Sequence, residues 1–375
     1  MSIYEKAGVS LNAGDEFSAY AAKICKESWG NSPYVEVIDG TREHFRGPRG
    51  FVFQYLPEGC FMVGAPDGAG TKTILVNQAL SHHTAACDVM AMTCGDITRH
   101  GGLPLVFFNV LDVASIGQPQ TIRFNLFRKA IVGLGLAAVN ERVVLLGGET
   151  AELGVCVGSE DPEATTKFNW AGFAIGVNHP DKLITGEKLR PGQIVVALRE
   201  QGFRSNGISA VREALRQRFG KEWWKVREAK PHIKAAAQPS VLYDHFLTTA
   251  NGWYKLPRIE AVLASHITGG GIVGKFFRDC LEPHWIGANL HALWEPPTIM
   301  RQCAQWSGMS DQEAYRVWNG GQGVLVVLEP GDVERFIALA KTFDIQAKVC
   351  GTITADPTLV INSKFTTGTV LEYGA

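Results

Sequence analysis

The sequence predicts an α/β (α+β) protein with two domains, one over residues 1–178 and the other over residues 179–375. Short apolar runs, each typical of a strand, alternate with longer segments of helical spacing. The pattern stops at the turn-rich segment 178–181 and then starts again, which places a domain boundary there. A chain of 375 residues with 46% hydrophobic content is long enough to bury more than one core.

The first half contains four predicted strands and two predicted helices. Apolar runs of strand length and segments of helical spacing support these assignments. The polar segment 157–167 contains acids, threonines and a proline and is predicted to be a mobile surface loop. In chain order the strands are predicted at residues 60–63, 105–113, 143–146 and 168–177, and the helices at 83–100 and 121–140.

The second half is predicted to be a mixed domain of similar size, with four strands and four helices. Its basic stretch 221–234 contains Trp223 and Trp224, and aromatic residues among cations can stack on nucleic-acid bases. We predict instead a solvated helix whose tryptophans cover the core, since Trp is highly buried on average. The strands are predicted at residues 194–198, 285–293, 323–328 and 346–352, and the helices at 207–219, 239–250, 255–264 and 332–342.

Charge and cysteine content narrow the class of protein. A net charge of −1 gives no general attraction to nucleic acid or to an anionic membrane. No stretch approaches the roughly 20 apolar residues of a membrane span, and residues 1–10 lack the pattern of a signal peptide. The eight cysteines are scattered with no CxxC pair, so we expect reduced thiols in a cytoplasmic protein rather than a zinc site or a disulfide framework.

The segment 64–72, of sequence GAPDGAGTK, is the most informative motif of the chain. Its glycines follow a short apolar run and let the backbone approach a ligand without interference from a Cβ atom. Asp67 can hold Mg²⁺ between the protein and phosphate oxygens, and Lys72 can supply a point charge for phosphate. A glycine-rich hairpin turn with a solvated aspartate and lysine explains the same residues, and the motif alone leaves both interpretations open.

Further carboxylates lie beside glycines in the first half. Asp96 belongs to a Cys-Gly-Asp sequence within the first predicted helix, and Glu149 and Glu152 follow two glycines just past the third predicted strand. Strand ends of α/β proteins are common ligand sites. Asp88, in the same helix as Asp96, would carry a penalty of several kcal/mol if it faced the core unpaired, so we expect it on the solvated surface.

A series of short motifs runs along almost the whole chain. They are YEKAGV at residues 4–9, DGAGTK at 67–72, CGD at 94–96, GLPL at 102–105, GGETAE at 147–152, AGF at 171–173, SNG at 205–207, HITGGG at 266–271 and NGGQG at 319–323. In this order and over this span, the series resembles the phosphoribosylformylglycinamidine cyclo-ligases, the aminoimidazole ribonucleotide synthetases of purine biosynthesis.

The resemblance implies an aminoimidazole ribonucleotide synthetase-like fold and a cytoplasmic homodimer. The N-terminal half would bind ATP, dimerise and contribute strands to a barrel shared by two subunits, and the C-terminal α/β half would bind substrate. The active site would lie in a cleft near the domain junction. The implied reaction is the ATP-dependent ring closure of formylglycinamidine ribonucleotide to aminoimidazole ribonucleotide, through phosphorylation of the amide oxygen.

The resemblance also assigns roles to individual residues. ATP and Mg²⁺ are the expected cofactors, since phosphoryl transfer needs carboxylates for the metal ion and donors for phosphate. Asp67, Asp96 and Glu149 are expected to hold Mg²⁺ and, with Lys72, to be the catalytic residues, and Glu152 is a further candidate. The other residues expected to contact ATP are Gly50, Phe51, Gly68, Gly70 and Thr71, and those expected to contact substrate are Arg204, Ser205, Asn206, His266, Thr268, Gly269, Gly270 and Gly271.

This chain departs from the family pattern at three places. The loop 40–51 has fewer glycines than usual and three arginines, so we expect it to cover the nucleotide differently from the glycine-rich loop of the family. Pro66 stands where a small hydroxyl residue is common. Phe203 and Arg204 replace the usual Pro-His, and an arginine can grip phosphate bidentately but cannot act as a neutral acid or base near pH 7. A structural role for His266 is as compatible with the sequence as a substrate contact.

Three other functions stay open. Selenophosphate synthetases, thiamine monophosphate kinases and hydrogenase-maturation dehydratases share the ATP-binding scaffold and act on other substrates, and a noncatalytic nucleotide-binding relative would also keep it. An oxidoreductase is suggested by the GxGxxG pattern at 269–274, but a Rossmann unit would place that pattern early in a βαβ unit with an acid about 20 residues on. We expect these glycines to form a cradle of backbone N–H groups for the substrate's phosphate.

Overall fold

The computed structural model of the protein describes residues 11–39, 50–255 and 257–374. The chain divides into two units. The first contains the described residues up to Ile97 together with Leu103–Pro180, and the second contains Thr98–Gly102 together with the described residues from Asp181 onward. Within the described residues, no helix is long and apolar enough to cross a membrane.

The first unit is built on a four-stranded sheet. Its elements, numbered in chain order, are α1 (Leu11–Glu27), β1 (Val35–Ile38), β2 (Gly50–Phe53), β3 (Phe61–Gly68), α2 (Lys72–Ala79), α3 (His82–Thr98), β4 (Leu103–Val113), α4 (Ile122–Glu141), β5 (Val144–Glu152) and β6 (Phe168–Asn178). The sheet has the order β3-β6-β4-β5, and β1 and β2 form a separate pair. β4 and β5 are parallel and joined by α4, whereas β6 pairs antiparallel with β3 and β4.

Two glycines let neighbouring elements of this unit approach closely. A Cβ atom on Gly68 would lie 2.8 Å from Trp170 O of β6, and one on Gly172 would lie 2.4 Å from the ring of Phe107. Both distances are shorter than the van der Waals contact between a Cβ atom and an oxygen or ring carbon. A larger residue at either position would therefore force the strands or the core apart. The backbone beside Asp67 therefore sits directly against β6.

Two strands are longer than the sequence predicts, and both extend through a glycine motif. β3 continues past its predicted end to Gly68, because Asp67 still pairs with β6. β5 continues past its predicted end to Glu152, because it pairs in parallel with β4 as far as Val113. The glycine turn predicted in GGETAE is therefore wrong, and the turn predicted in 64–72 begins only after Gly68. Pairing with a neighbouring strand decides where each strand ends, and the glycines at 64, 68, 147 and 148 do not interrupt it.

The segment 157–167 has neither helix nor strand, as predicted, but buried side chains anchor it. The carboxylate of Asp161 accepts a hydrogen bond from Gln78 Nε2 at 2.7 Å. Thr166 donates both its backbone N–H and its hydroxyl to Asn77 Oδ1, each at 2.8 Å. Helix α2, which carries Asn77 and Gln78, therefore holds this loop at two points.

The second unit is built on a seven-stranded sheet. Its elements are β7 (Ile194–Arg199), α5 (Ile208–Phe219), α6 (Lys230–Ala236), α7 (Asp244–Ala250), β8 (Ala261–His266), a π-helix (Val273–Leu281), β9 (Gly287–Leu290), α8 (Thr298–Ser307), α9 (Asp311–Val317), β10 (Gln322–Leu328), α10 (Val333–Thr342), β11 (Ala347–Thr354), β12 (Thr358–Asn362) and β13 (Val370–Gly374). The strand order is β13-β12-β9-β11-β7-β10-β8. All neighbours pair antiparallel except β12 and β9.

Both faces of this sheet carry a hydrophobic core. Val195 and Ala197 of β7 face one core together with Phe276 of the π-helix. Val196 and Leu198 face the other core. A strand that is buried on both faces needs a continuous apolar run, which explains why β10 is buried along its length and apolar over Val324–Leu328.

The predicted helix at 255–264 is wrong, since this segment contains strand β8. Leu263 and Ala264 pair with β10, and this pairing outweighs the helical spacing of the apolar residues. The helix predicted at 239–250 is confirmed only over Asp244–Ala250.

The two tryptophans of the basic stretch 221–234 belong to the core, as predicted. Trp223 is 0% exposed and Trp224 is 7% exposed, so neither ring is available for stacking on a base. The stretch differs from the prediction in its backbone, since short 3₁₀ turns precede α6.

His82, at the start of α3, is a buried histidine with a defined hydrogen bond. Its Nε2 lies 2.8 Å from Thr166 Oγ1. That hydroxyl has a single proton and donates it to Asn77, so His82 must donate from Nε2. Burial, with a smaller effect from the charge of Lys129, lowers the pKa of His82 to about 4. The ring is therefore neutral at pH 7.

We expect the free energy of unfolding to fall as the pH is lowered from 7 to 4. An unfolded histidine takes up a proton near pH 6.5, whereas folded His82 does so only near pH 4, so acid favours the unfolded chain in this window. The contribution is about 3 kcal/mol. Urea denaturation across this range should show a smaller loss in His82→Gln than in the wild type, and equal slopes would contradict the assignment.

Candidate functional site

Asp67 lies near the end of β3, just before the turn that leads into α2. Its side chain is exposed, and its Oδ1 accepts a hydrogen bond from Gly68 N at 2.6 Å. Gly70 and Thr71, in the turn, are also exposed. Gly70 has a φ of +52°, a conformation that glycine adopts without strain. The turn therefore presents a carboxylate and accessible backbone at one edge of the sheet.

Asp96 of α3 lies close enough to Asp67 to change its titration. Desolvation raises the pKa of the Asp67 carboxyl, the hydrogen bond from Gly68 lowers it, and the negative charge of Asp96 raises it, with a net increase. A divalent cation relieves the repulsion between two neighbouring carboxylates. Mg²⁺ is commonly held by one or two carboxylates together with phosphate and water oxygens, so this pair fits such an ion.

Asp67, Asp96 and Glu149 are all predicted to hold Mg²⁺, but the structure does not bring Glu149 together with the other two, and its metal role stays a prediction. Backbone pairing runs from Asp67 across β6 and β4 to Gly148 of β5. Glu149 therefore lies three strands from Asp67, about 14 Å at the usual strand spacing. Among the residues that the structure describes, no three His, Cys, Asp or Glu side chains are grouped to hold a metal ion.

Lys72 begins α2 and is fully buried, at 0% exposure. Its Nζ lies 2.6 Å from Oδ1 of Asp88, which is 1% exposed. The structure thus contradicts two predictions, a phosphate contact by Lys72 and a solvated Asp88. Each buried charge would be costly alone, and the pair compensates both.

Asn109 and Trp170 form a polar contact that the motifs did not reveal. Asn109 of β4 is 7% exposed, and its Oδ1 accepts a hydrogen bond from Trp170 Nε1 at 3.1 Å. The sequence feature that could have revealed this contact is Asn109 itself, a polar residue within an otherwise apolar run. Asn109 and Glu149 both line a cavity of about 460 Å³ beside β5. Glu152 has a structural contact, since its carboxylate accepts a hydrogen bond from Ile116 N at 2.6 Å.

In the second unit, Arg204 is buried at 1% exposure. Its Nη1 lies 2.8 Å from Oε2 of Glu200, which is buried too, and its Nη2 contacts Nε2 of His266. The guanidinium carbon lies 5.5 Å from the ring centre of Tyr243. The structure therefore contradicts the predicted substrate contacts of Arg204 and His266 and supports the structural role of that histidine. Glu200 was missed, because residues 200–204 form a loop after β7 in which a spacing of four residues does not by itself bring two side chains together.

The remaining predicted substrate residues form two neighbouring loops. Ser205 and Asn206 are half-buried and lie between β7 and α5. Thr268 is half-buried, and Gly269 and Gly270 are exposed, in the loop after β8. A Cβ atom on Gly269 would lie 3.3 Å from Asn206 Oδ1, so the two loops are in contact range.

Gly271 and Asn319 support these two loops through packing and hydrogen bonds. Gly271 has a φ of +60°, and a Cβ atom there would lie 2.3 Å from Tyr315 O, so its role is packing. Asn319 Nδ2 donates to Gly202 O at 2.9 Å, and Asn319 Oδ1 accepts from Gly321 N at 2.8 Å. The NGGQG motif therefore forms a tight turn that supports the loop after β7.

The glycines at 269–274 do not belong to a Rossmann unit. Strand β8 precedes them and a helical segment follows, but β8 is an edge strand that pairs with antiparallel β10. A dinucleotide-binding unit needs parallel strands joined by a helix. The described part of the chain therefore gives no support to an oxidoreductase at this motif.

Gly50 and Phe51, predicted to contact ATP, begin β2, which pairs with β1. Gly50 is exposed and Phe51 is half-buried, with its ring centre 5.3 Å from that of Phe53. The loop before them, residues 40–49, and the motif at residues 4–9 lie outside the described residues. Their contacts with a nucleotide stay a prediction.

Comparison with known proteins agrees with the motifs. Residues 51–177 match the N-terminal domain of the AIR synthase related proteins, and residues 190–364 match the C-terminal domain. The chain belongs to this family. A phosphoribosylformylglycinamidine cyclo-ligase from Prochlorococcus marinus (strain MIT 9215) is 28% identical over 364 residues, which are 96% of this chain and 98% of that protein. The family resemblance that the motifs indicated is confirmed.

Solved structures share the fold at low sequence identity. Escherichia coli HypE, a hydrogenase maturation protein, is 12% identical with a TM-score of 0.58 over 95% of this chain and 96% of that chain. T. maritima PurL complexed with ATP is 14% identical with a TM-score of 0.51 over 84% of this chain and 44% of that chain. The predicted fold class is confirmed, and the barrel shared by two subunits stays a prediction.

We expect Asp67→Asn and Asp96→Asn each to weaken Mg²⁺-dependent ATP binding by about tenfold or more, because each removes one of the two carboxylates that are proposed to hold Mg²⁺. Glu149→Gln is the matched control, since it removes a carboxylate three strands away, and its affinity should stay near that of the wild type. Calorimetry with and without Mg²⁺ measures all three. Unchanged affinity in both aspartate variants would exclude the assignment of Asp67 and Asp96 to the metal ion. An equal loss in Glu149→Gln would contradict the expectation that Glu149 lies too far away to contribute.

Proposed function

We propose that this protein catalyses the ATP-dependent ring closure of formylglycinamidine ribonucleotide to aminoimidazole ribonucleotide in purine biosynthesis. The observation that carries the proposal is the match to a cyclo-ligase over 96% of this chain and 98% of that protein, so the similarity spans both units. The accessible carboxylates Asp67 and Asp96 add the chemistry that a Mg-ATP enzyme needs.

In the proposed reaction, the γ-phosphoryl group of ATP passes to the amide oxygen of the substrate, which leaves ADP and makes that oxygen part of a leaving group. An internal nitrogen then attacks the same carbon, and inorganic phosphate leaves as the imidazole ring closes. The protein contributes mainly positioning and charge neutralisation. Asp67 and Asp96 would hold Mg²⁺, which would supply positive charge at the phosphate oxygens.

We assign the nucleotide to the first unit and the ribonucleotide substrate to the second. Beside Asp67, the exposed turn at Gly70 and Thr71 offers backbone groups to phosphate oxygens. Uncharged groups in the second unit would hold the substrate through hydrogen bonds, because the arginine of its motif is already paired. These groups belong to Ser205, Asn206, Thr268, Gly269 and Gly270.

The alternatives have weaker support. HypE and PurL are 12% and 14% identical to this chain, so their similarity concerns the fold and not the substrate. The noncatalytic interpretation rested on Arg204 and on the loop 40–51. Arg204 is half of a buried ion pair, so its presence has a structural explanation and does not indicate a loss of activity.

The function is tested by ATP turnover of the purified protein with and without formylglycinamidine ribonucleotide. We expect ADP and aminoimidazole ribonucleotide in equal amounts, formed only when both substrates and Mg²⁺ are present. Turnover should fall in Asp67→Asn and Asp96→Asn, which remove the proposed metal ligands. ATP hydrolysis without ring closure would favour another substrate, and ATP binding without any turnover would favour a noncatalytic relative.

We further propose a homodimer that forms through the open face of the four-stranded sheet. Val110 of β4 is 43% exposed and Phe173 of β6 is 41% exposed. By strand alternation they lie on the opposite face from buried Asn109 and Gly172. Exposed apolar surface of this kind marks an interaction site, and the same face of a second copy would cover it, as the family resemblance implies.

We expect Phe173→Asp to convert the dimer to monomer at micromolar concentration, because it would bury an unpaired carboxylate in the interface. Leu136→Asp is the matched control: Leu136 is 55% exposed on helix α4, away from the sheet face. Sedimentation velocity measures the mass of each variant, and circular dichroism confirms folding. A monomeric wild type, or a dimer that survives Phe173→Asp, would contradict the proposal.

A further inference from the structure

Arg204 combines two unfavourable features at the start of the loop that contains Ser205 and Asn206. Its backbone lies in the left-handed region, with a φ of +56°, which is uncommon for a residue with a Cβ atom. Its guanidinium is also almost fully removed from solvent, at 1% exposure. Such a residue persists only where surrounding contacts hold both the backbone and the side chain.

Glu200 anchors these contacts. Its Oε2 lies 2.8 Å from Arg204 Nη1 and accepts a hydrogen bond from Val241 N at 3.2 Å. Tyr243 donates its hydroxyl to Arg199 O at 2.6 Å, and its ring lies against the guanidinium. The carboxylate and the guanidinium are thus fixed by the end of β7 and by the segment that leads into α7.

His266 connects Arg204 to the second loop. β10 lies between β7 and β8, so the loops that leave β7 and β8 are not joined by direct strand pairing. Nη2 of Arg204 reaches Nε2 of His266 at the end of β8, and Thr268 follows two residues later. Gly323 of β10 leaves room for this arrangement, since a Cβ atom there would lie 2.2 Å from the hydroxyl of Tyr243.

We propose that Arg204 is a positioning residue that locks the loop 205–206 to the loop 268–271, so that both meet the ribonucleotide substrate in one fixed geometry. The proposal rests on the proposed function, in which these loops bind that substrate. Arg204 touches no substrate itself. Two loops that moved independently would have to be ordered on binding, which weakens affinity. Arginine suits this role because its planar fork serves Glu200 and His266 at the same time.

Steady-state kinetics tests the role in substrate binding. Arg204→Met keeps the apolar stem but removes both polar contacts, and it should raise KM for formylglycinamidine ribonucleotide about tenfold or more, with a smaller change in kcat and in KM for ATP. Arg204→Lys keeps a charge for Glu200 but cannot fork to His266, and it should give a smaller increase. Leu359→Ala, a fully buried change on β12, is the control for lost stability and should leave both KM values unchanged.

Amide hydrogen exchange tests the coupling without requiring activity. In Arg204→Met, exchange at residues 268–271 should accelerate about tenfold or more although the substitution lies in the other loop, and in Leu359→Ala it should not. Acceleration confined to residues 203–207, or an unchanged KM for the ribonucleotide, would overturn the proposal. If Arg204→Met does not fold, the same measurements on Arg204→Lys decide. A wild type without turnover would refute the proposed function, while exchange would still decide whether the loops are coupled.

Discussion

The ion pair between Lys72 and Asp88 fixes the geometry on which the candidate site of the first unit depends. Lys72 begins α2, directly after the turn that follows Asp67, and Asp88 lies in α3 about two turns before Asp96. Breaking such a buried pair costs roughly 3–5 kcal/mol, because the remaining charge is left without compensation. The pair therefore holds α3 in one position against the end of β3, and with it the separation between the two site carboxylates.

The second unit follows the same principle with different residues. Glu200 and Arg204 are both buried and paired, beside a loop whose accessible groups are uncharged. In each unit, a charged residue in or beside a prominent motif is neutralised inside the protein, and the groups proposed to face a ligand come from its neighbours in the chain. The motif charge thus fixes the backbone next to it, which lets short loops keep a defined shape without many contacts of their own.

The sequence predicts the central strands of both sheets, because an apolar run such as 323–328 must be buried whichever strand lies beside it. Prediction from sequence fails where pairing with a neighbouring strand determines the structure. Examples are the extension of β3 and β5 through their glycines and the formation of β8. The site shows the same limit. The motifs group Asp67 with Asp96, and the structure places the two close enough to interact. The burial of Lys72, however, depends on a partner 16 residues away, and the distance of Glu149 depends on a sheet order that chain order does not reveal.

The proposed cation site of the first unit combines two neighbouring carboxylates, Asp67 and Asp96, whose negative charges repel each other. Desolvation raises the pKa of Asp67, the hydrogen bond from Gly68 lowers it and the charge of Asp96 raises it, with a net increase, so the ionised form of this carboxylate is disfavoured in the folded protein. Lys72 does not relieve this, since its ammonium group lies against Asp88. A divalent cation bound between the two carboxylates would relieve it, and the free energy recovered in this way would add to the binding of that cation. Because the lysine of the motif lies inside the protein, its charge does not neutralise Asp67, and in the proposed site a metal ion that arrives with phosphate would do so instead.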